Sequence, residues 1–280
     1  MLSLTPMPTE LVSYYNDSED TRHFCFRLLD PEAIKKTQPG QFFMLHIPGI
    51  GAAPFTFTTP PDSRGVFYAL IKSVGKVTRA LFNQQAGTTL GVRGPFGTGW
   101  PIKTLAGQRI LIVAGGCGIA PLVNLTETLL QQNSYQSLAL LYGAGSQKTE
   151  MLKAQRLRWQ QQMPMYTVLE APGQSELTGT PVDVLDTVLG QLGEFPTALL
   201  LCGPEIMMQK MAVKFIDKGL AESSIWLSIE RRMHCAVGLC GHCYLHHSYG
   251  CADGPTYQWD HYQRLSAGDT DPGLVIPSQI

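Results

Sequence analysis

Four of the seven cysteines of this chain lie close together in the stretch RRMHCAVGLCGHCYLHHSYGC, residues 231–251. Their spacing is C-x4-C-x2-C-x7-C, with thiols at Cys235, Cys240, Cys243 and Cys251. Clustered thiols can form disulfides, bind zinc or hold an iron–sulfur cluster. Gly238 and Gly241 lie between the thiols and permit the backbone angles of a loop that folds around a metal centre.

The disulfide interpretation depends on the compartment, which other parts of the sequence indicate. The first residues, MLSLTPMPTELV, carry no basic segment and no long apolar run of the secretory type. No stretch approaches the roughly 18 uncharged apolar residues of a membrane-spanning helix. We therefore expect a cytoplasmic protein, and structural disulfides are rare in that compartment. Clustered cysteines in such a protein are more often metal ligands or redox groups.

The spacing favours an iron–sulfur cluster over zinc. Plant-type ferredoxins hold a [2Fe–2S] cluster with C-x4-C-x2-C followed by a more distant cysteine. A zinc site usually combines two short C-x2–4-C units, and the interval between Cys243 and Cys251 is too long for a second one. Zinc stays the alternative, and Cys25 and Cys117 are expected to be buried or incidental. Four neighbouring histidines are expected to be surface residues rather than ligands: His234, His242, His246 and His247.

Two glycine-containing turns could bind a nucleotide. The stretch VAGGCGIAPL, residues 113–122, places three glycines between a predicted strand and a predicted helix. Without Cβ atoms a phosphate can approach the backbone, and the helix N-terminus supplies N–H donors. The stretch LLLCGPEIMM, residues 199–208, ends a second strand in the same way and places Cys202 at the expected ligand crevice. A strand-to-helix turn without a ligand is the alternative at both places.

Two segments of the first hundred residues could also contact a cofactor. The stretch APFTFTT, residues 53–59, presents Phe55 and Thr56 at the start of a predicted strand. The stretch SVGKVTRALF, residues 73–82, runs from a strand through Gly75 into a helix, whose free N–H groups would suit a pyrophosphate. A helix capped for structural reasons alone is the alternative for the second stretch.

The elements that must position these motifs change in kind near residue 105 of the 280 residues. The first part has one helical stretch, 77–85, and short aromatic or β-branched runs that predict a small barrel or sandwich. These runs are residues 22–29, 41–47, 55–59, 66–74 and 88–94. Beyond them, apolar strands such as RILIVAG, SLALLYGA, MYTVLE, TALLLCGP and SIWLSI alternate with helical segments, which predicts a doubly wound parallel sheet. Regular structure is expected to fade after about residue 228.

In this order, the motifs resemble the ferredoxin–NADP⁺ reductase-like family of electron-transfer subunits. The resemblance covers nearly the whole chain and rests on PFT…GKVT, GGCGIAPL, YGA, CGP and ERRMHCAVGLCGHC…CADGP. The last motif is similar to the gamma (diaphorase) subunit of cytosolic NiFe hydrogenases, or sulfhydrogenases, and almost equally to the B subunit of anaerobic sulfite reductase. It is more distantly similar to the dihydroorotate dehydrogenase electron-transfer subunit and to the small subunit of NADH-dependent ferredoxin:NADP⁺ oxidoreductase.

The resemblance implies three regions and three cofactors. An antiparallel FAD-binding β-barrel would cover residues 1–104, and a doubly wound NAD(P)-binding α/β domain would cover 105–228. A small Cys-rich segment, 229–280, would carry a [2Fe–2S] cluster. NAD(P)H would be the soluble substrate.

The resemblance also implies site residues, position by position. Flavin contacts would come from Pro54, Phe55, Thr56, Leu70, Ile71, Lys72, Gly75, Val77 and Thr78. Nucleotide contacts would come from Gly115, Gly116, Gly118, Ile119, Ala120, Pro121, Tyr142, Gly143, Cys202, Gly203 and Pro204. The cluster ligands would be Cys235, Cys240, Cys243 and Cys251. Ala53 replaces the arginine of the family's flavin motif, so one expected contact is missing, which also bears on the choice of FAD over FMN.

Electron counting gives the order of these cofactors. NAD(P)H delivers two electrons as a hydride, a [2Fe–2S] cluster accepts one, and a flavin can take two and release them singly. No side chain is predicted to act as a catalytic acid or base. Because the sequence contains no second cysteine cluster, the electrons must pass to a partner subunit that carries further iron–sulfur clusters. The stretch TYQWDHYQ, residues 256–263, either forms that docking face or packs the tail onto the flavin domain.

Other possibilities stay open from the sequence. A zinc-stabilised nucleotide-binding module would bind no flavin and carry out no redox chemistry. A nucleic-acid binder is disfavoured, because 21 basic and 22 acidic residues give a net charge of −1. The terminal electron acceptor is open. So is the choice between NADH and NADPH: a 2′-phosphate could meet Ser146, Lys148, Lys153 or Arg156, or these residues could form a solvated helix face.

Overall fold

The computed structural model describes residues 4–34, 36–171, 175 and 177–267 of the chain. The N-terminal part consists of β1 (Met7–Asn16), β2 (Thr21–Leu28), β3 (Phe42–Ile47), β4 (Gly51–Thr56), β5 (Val66–Lys72), α1 (Lys76–Phe82) and β6 (Thr89–Phe96). The six strands form one antiparallel barrel in the order β4-β3-β6-β1-β2-β5. The predicted barrel is therefore confirmed.

Aromatic side chains fill the barrel. Five phenylalanines from its strands and loops are almost completely buried and contact one another: Phe24, Phe26, Phe43, Phe57 and Phe67. The sequence did not predict β1. Its second half is exposed, and the inward positions of its first half are Thr9 and Leu11, so the strand lacks a clear apolar alternation.

The C-terminal half is an α/β domain. Its elements are β7 (Arg109–Gly115), α2 (Ala120–Gln132), β8 (Ser137–Ala144), α3 (Lys153–Gln160), β9 (Met165–Leu169), β10 (Leu177–Thr178), α4 (Leu185–Leu192), β11 (Ala198–Cys202), α5 (Glu205–Asp217) and β12 (Ile225–Ser228). These strands are parallel in the order β10-β9-β8-β7-β11-β12. Apolar residues of α2 and α3 pack on one face, and those of α4 and α5 pack on the other. The predicted doubly wound sheet is confirmed.

Regular structure continues beyond residue 228, contrary to the expectation. The remaining elements are β13 (Tyr244–Leu245), β14 (Ser248–Tyr249), β15 (Thr256–Gln258) and α6 (Trp259–Ala267). Strand β15 adds to the edge of the α/β sheet, antiparallel to β12. Residues 268–280, which the predicted cluster segment includes, lie outside the described residues, as do residues 1–3.

The aromatic stretch TYQWDHYQ packs on the α/β domain. Tyr257, Trp259 and Tyr262 are each 2–3% exposed and belong to the core that also contains the α5 side chains. The docking-face alternative is therefore wrong for these three rings. The packing alternative is correct except for its partner, which is the α/β sheet and not the barrel, because β15 pairs with β12.

Direct contacts join the parts of the chain. The Trp100 indole N–H, just after the barrel, donates to the Pro121 carbonyl of α2 at 3.0 Å. The Leu152 N–H donates to Asp17 Oδ2 at 2.8 Å, which links the α/β domain back to the barrel. The N–H of Thr98 donates to the carbonyl of Gly254 at 2.6 Å and fixes the tail. No helix within the described ranges has the length and apolar character needed to cross a bilayer.

Candidate functional site

The two glycine turns predicted from the sequence meet at one edge of the parallel sheet. Strands β7 and β11 are neighbours, and Cys202 pairs with Ala114. The chain runs outward in both directions from this pair of strands, so their carboxyl ends border the crevice where open α/β sheets bind ligands. A Cβ atom built on Gly118 would lie 2.3 Å from the Cys202 carbonyl oxygen, so the two turns are in backbone contact.

The first turn leaves open space where a phosphate could approach. Residues Gly116–Ile119 form a 3₁₀ helix that leads directly into α2. Gly116 has a φ of +52°, and nothing lies within 4 Å of a Cβ built there. The Ala120 N–H donates to the Cys117 carbonyl and Pro121 has no N–H, so the donors available to a ligand are those at the start of the 3₁₀ turn, near Gly116. Ile119 and Ala120 point into the core, so only their backbone can face a ligand.

Two other nucleotide-contact candidates are packed into the protein. The Tyr142 ring is fully buried, and its hydroxyl accepts a hydrogen bond from the N–H of Met151 at 3.1 Å. A Cβ on Gly143 would lie 2.6 Å from Pro181 Cγ. A contact through the Tyr142 side chain is therefore excluded, and only the backbone of this pair stays a candidate.

The Cys202 thiol is part of the crevice wall rather than a reactive nucleophile. It is 6% exposed and donates to the Ser228 carbonyl at 3.6 Å. Burial raises its pKa to about 12, so the thiol is neutral at physiological pH. The adjacent Gly203 has a φ of +152°, and a Cβ there would lie 2.9 Å from Gly115 Cα. Neutral, small groups thus border this part of the crevice.

The basic residues that could contact a 2′-phosphate differ in exposure and in their partners. Arg156 is 7% exposed, and its guanidinium pairs with Glu150 and stacks on the Tyr142 ring at 4.7 Å. Its charge is already neutralised inside the protein, so both alternatives, phosphate contact and solvated helix face, are wrong for Arg156. Lys148 and Lys153 are exposed and stay available for a 2′-phosphate.

The two cysteines that were not predicted as site residues differ in exposure. Cys117 is exposed, so the alternative that it is buried is wrong, whereas Cys25 is buried.

The barrel motifs lie on β4, β5 and α1. The hydroxyl of Thr78 accepts from the N–H groups of Val74 and Gly75 at 3.0 and 2.8 Å, so this side chain caps α1. Nothing lies within 4 Å of a Cβ on Gly75, which leaves the start of the helix open. The three flavin-contact candidates on β5 differ in orientation. Leu70 and Ile71 are buried in the cores, and Lys72 forms an ion pair with Asp20.

A cavity of about 400 Å³ joins the barrel to the cysteine segment. Its walls are Ala52, Ala53 and Pro54 of β4 and residues 230–234. Ala53, where the family's arginine is missing, therefore faces a wall that contains Arg231 and Arg232. Neither arginine was predicted from the sequence as a site residue, although their position directly before the first clustered cysteine was a signal.

The two arginines in that wall differ in their partners. Arg231 binds Glu205 at the start of α5 through two hydrogen bonds of 2.8 and 2.9 Å, and Tyr262 donates to the same carboxylate. The hydrogen bonds from Arg231 and the charge of that residue lower the pKa of Glu205. Arg232 is exposed and donates to His234 Nε2 at 3.1 Å. It belongs to none of the ion pairs found within the described residues.

The four clustered thiols lie near one another. Cys240 interacts with Cys235, and Cys251 interacts with both Cys243 and Cys235. Backbone N–H groups also point at the sulfurs: those of Val237 and Leu239 donate to Cys235 Sγ at 3.4 and 3.3 Å, and that of Gly238 donates to Cys251 Sγ at 3.2 Å. All seven cysteines are free of disulfides. Within the described residues, no group of three or more His, Cys, Asp or Glu side chains is placed to hold one metal ion.

The cysteine loop turns through left-handed residues and packs on the barrel. Gly238 and Gly241 have φ of +72° and +79°, which confirms that this loop uses glycine's freedom, and Ala236 adopts +64°. The inner side of the loop, including Cys243 and Cys251, packs against Phe42, Met44 and Phe96 of β3 and β6. Cys240 is exposed, so the loop has a buried and a solvent-facing edge.

Comparison with sequence models of protein families assigns all three parts of the chain. Residues 8–100 match the oxidoreductase FAD-binding domain, and residues 112–213 match the oxidoreductase NAD-binding domain. Residues 230–262 match the iron-sulfur cluster binding domain of dihydroorotate dehydrogenase B. The chain belongs to the ferredoxin–NADP reductase-like family of oxidoreductases. This member is an electron-transfer subunit with FAD-binding, NAD-binding and iron–sulfur-binding parts.

Its relatives include subunits of two kinds of enzyme. Sulfhydrogenase 2 subunit gamma of Pyrococcus furiosus is 30% identical, over 85% of this chain and 89% of that protein. A probable dihydroorotate dehydrogenase B (NAD(+)) electron transfer subunit of Archaeoglobus fulgidus is 34% identical, over 79% of this chain and 86% of that protein. Among solved structures, that of the NADH-dependent reduced ferredoxin-NADP oxidoreductase superposes with a TM-score of 0.76 at 24% identity, covering 94% of each chain. This last likeness concerns the fold.

Proposed function

We propose that this electron-transfer subunit is the gamma (diaphorase) subunit of a NiFe hydrogenase and passes electrons between NAD(P)H and a partner subunit through FAD and a [2Fe–2S] cluster. The observation that carries the proposal is the shared cavity between β4 and residues 230–234. It brings the flavin strand of the barrel against the start of the cysteine loop. An electron that leaves a flavin on β4 would therefore have the cysteine segment as its neighbour.

The barrel residues fit a flavin. The cavity beside Ala53 and the open helix start at Gly75 give room for the ring and for the pyrophosphate respectively. We propose that Pro54, Phe55 and Thr56 contact the ring and that the backbone N–H groups of Val77 and Thr78 bind the pyrophosphate. Gly75 gives it room to approach, while its own N–H donates to the Thr78 hydroxyl. Arg232 supplies the positive charge that Ala53 lacks, because Arg231 is already neutralised by Glu205.

The crevice of the α/β domain fits a nicotinamide nucleotide. The open backbone at Gly116 and the N–H groups at the start of this 3₁₀ turn would bind its pyrophosphate. The wall of Cys202 and Gly203 would border the nicotinamide, as the resemblance implies. We propose the same division of the chain as the resemblance implies: a flavin part ending at residue 104, a nucleotide part ending at residue 228, and a cluster part beyond it. When bound, NAD(P)H supplies two electrons as a hydride, and FAD and the cluster divide them into single electrons.

The cysteine loop fits a [2Fe–2S] cluster. Four cysteines hold such a cluster, two on each iron, and the four thiols of this loop lie near one another. Structural zinc instead needs four ligands around one ion. The three backbone N–H groups that point at Cys235 and Cys251 would also hydrogen-bond to thiolates. The exposed edge at Cys240 is the side from which a partner subunit could approach.

A second function has its own support. The tail matches the iron–sulfur domain of dihydroorotate dehydrogenase B, and the Archaeoglobus relative with that description is 34% identical. In that case the partner would be a dihydroorotate dehydrogenase catalytic subunit. Coverage does not separate the two functions, because a Methanopyrus kandleri relative of the second kind matches 92% of this chain. The hydrogenase proposal is preferred because the cysteine motif ERRMHCAVGLCGHC…CADGP is more similar to the sulfhydrogenase gamma subunit than to the dihydroorotate dehydrogenase subunit.

The test is anaerobic purification of the full chain, followed by measurement of flavin, iron and acid-labile sulfide. One FAD and about two irons and two sulfides per chain are expected, with a [2Fe–2S] EPR signal after addition of NADH or NADPH. One zinc and no flavin would refute the proposal. To identify the partner, the chain is mixed with purified NiFe hydrogenase subunits or with a dihydroorotate dehydrogenase catalytic subunit. NAD(P)H-linked activity with only the second would favour the second function.

A further inference from the structure

Arg93, on β6, lies between the barrel and the cysteine loop. Only 5% of its surface is exposed. Its Nη1 donates to the carbonyl of Cys235 at 3.1 Å, and its Nη2 donates to that of His234 at 3.4 Å. Its Nε donates to His46 Nε2 at 2.8 Å. The guanidinium thus holds the backbone at the first of the four clustered cysteines.

None of these partners carries a negative charge. Two are peptide carbonyls, and the accepting nitrogen of His46 has no proton, so that ring is neutral. Arg93 takes part in none of the ion pairs seen in the described part of the chain. The Phe96 ring also lies near it, with the guanidinium carbon 5.7 Å from the ring centre. A buried cation without an anion is costly, and buried charges are normally paired or belong to metal sites.

The cysteine loop is the source of the missing negative charge. We propose that Arg93 supplies the counter-charge of the cluster held by Cys235, Cys240, Cys243 and Cys251, and thereby raises its reduction potential. This inference rests on the proposed function, because it requires the cluster. A cluster with four thiolate ligands is an anion, and one-electron reduction makes it more negative. A nearby cation in an apolar setting therefore favours the reduced form.

The same geometry makes Arg93 a positioning residue. Its two hydrogen bonds to the loop backbone fix the first ligand against the barrel, where Phe42 and Met44 of β3 and Phe96 of β6 exclude water. Charge and hydrogen bonding can be separated by substitution. Arg93→Gln can still donate to a carbonyl but is neutral, whereas Arg93→Lys keeps the charge and loses the planar pair of donors.

The test is an EPR-monitored redox titration of the cluster in the full-length protein. We expect Arg93→Gln to reduce the equilibrium constant for one-electron reduction about tenfold, or about 59 mV for one electron. Arg93→Lys should stay within about threefold of the unchanged protein. The matched control is Arg22→Gln, which removes another barrel arginine that stacks on aromatic rings and binds a carbonyl, that of Phe82. It should leave the potential unchanged.

Each outcome decides the inference. An unchanged potential in Arg93→Gln, or an equal fall in Arg93→Lys, overturns it. If Arg93→Gln retains no cluster, Arg93→Lys decides: a retained cluster of nearly normal potential supports the counter-charge, and loss of the cluster in both variants overturns it. Absence of any cluster in the unchanged protein would instead refute the proposed function.

Discussion

Gly118 and Cys202 are in backbone contact, so close that a Cβ atom on the glycine would lie 2.3 Å from the cysteine carbonyl oxygen. The contact joins the turn after β7 to the turn after β11. Both turns border the crevice assigned to the nicotinamide nucleotide. The shape of that crevice therefore depends on the absence of one methyl group.

Gly118→Ala tests this contact. A backbone atom cannot move aside as a flexible side chain can, so we expect the variant to lose about 3 kcal/mol of unfolding free energy in urea. Gly190→Ala is the control, because nothing lies within 4 Å of a Cβ at this position in α4. It should be neutral or gain about 0.5–1 kcal/mol. Equal stability of the two variants would contradict the predicted clash.

Replacement of any one of the four clustered cysteines by serine should remove most of the iron. The iron bound by the replaced cysteine would keep only one of its two protein ligands, which weakens the whole cluster, so we expect less than half the iron content of the unchanged protein after anaerobic purification. Cys117→Ser is the matched control, since this exposed thiol lies outside the loop. Full iron content in Cys243→Ser and Cys251→Ser would show that these two cysteines do not ligate iron.

The charge of Arg232 should strengthen flavin binding. If it replaces the missing arginine at Ala53, Arg232→Gln should raise the flavin Kd about tenfold, measured by fluorescence with apoprotein. Arg264→Gln removes another exposed arginine, on α6, and should leave the Kd unchanged. The same Kd for both variants would remove Arg232 from the flavin site.

The ion pair between Glu205 and Arg231 should make attachment of the tail sensitive to acid. Arg231 lowers the pKa of Glu205 below its ordinary 4.5, so this stabilisation is fully present above pH 4.5 and is lost as the pH falls through the lower folded value. We expect Glu205→Gln to cost about 1 kcal/mol at pH 7, measured by urea unfolding, and to abolish this acid dependence. Glu194→Gln, at a more exposed and longer pair, is the control. If the unfolding free energy of both variants falls equally with acid, the Glu205–Arg231 pair is not the source of the acid sensitivity.

Buried His23 should destabilise the barrel below neutral pH. Its ring lies between the Tyr15 hydroxyl at 2.6 Å and the Thr58 hydroxyl at 2.8 Å, and burial lowers its pKa from 6.5 to about 4. The unfolded chain therefore binds the proton first. The free energy of unfolding is not reduced by His23 above pH 6.5, and it should fall by about 3 kcal/mol in total as the pH drops to 4. His23→Gln should flatten the urea-unfolding profile over this range, whereas exposed His247→Gln should not. A profile unchanged by His23→Gln would contradict the assignment.

Much of the architecture was predictable from the sequence because its signals are local. Short aromatic strands indicated the barrel, and strand–helix alternation indicated the parallel sheet, since each pattern reflects the periodicity of one element. The weakly patterned β1 was missed for the same reason. So were β15 and α6, because the aromatic stretch TYQWDHYQ gives no indication of which surface buries it.

The sequence by itself determined which residues carry chemistry: the spacing of the four cysteines, the glycines of two turns and the absence of an arginine at Ala53. Only the tertiary structure decided which of them meet. The contact of Gly118 with Cys202, the cavity between Ala53 and Arg232, and the hold of Arg93 on the Cys235 backbone all join residues far apart in the chain. These contacts follow from strand order and from packing between domains, and no local pattern of side chains encodes them.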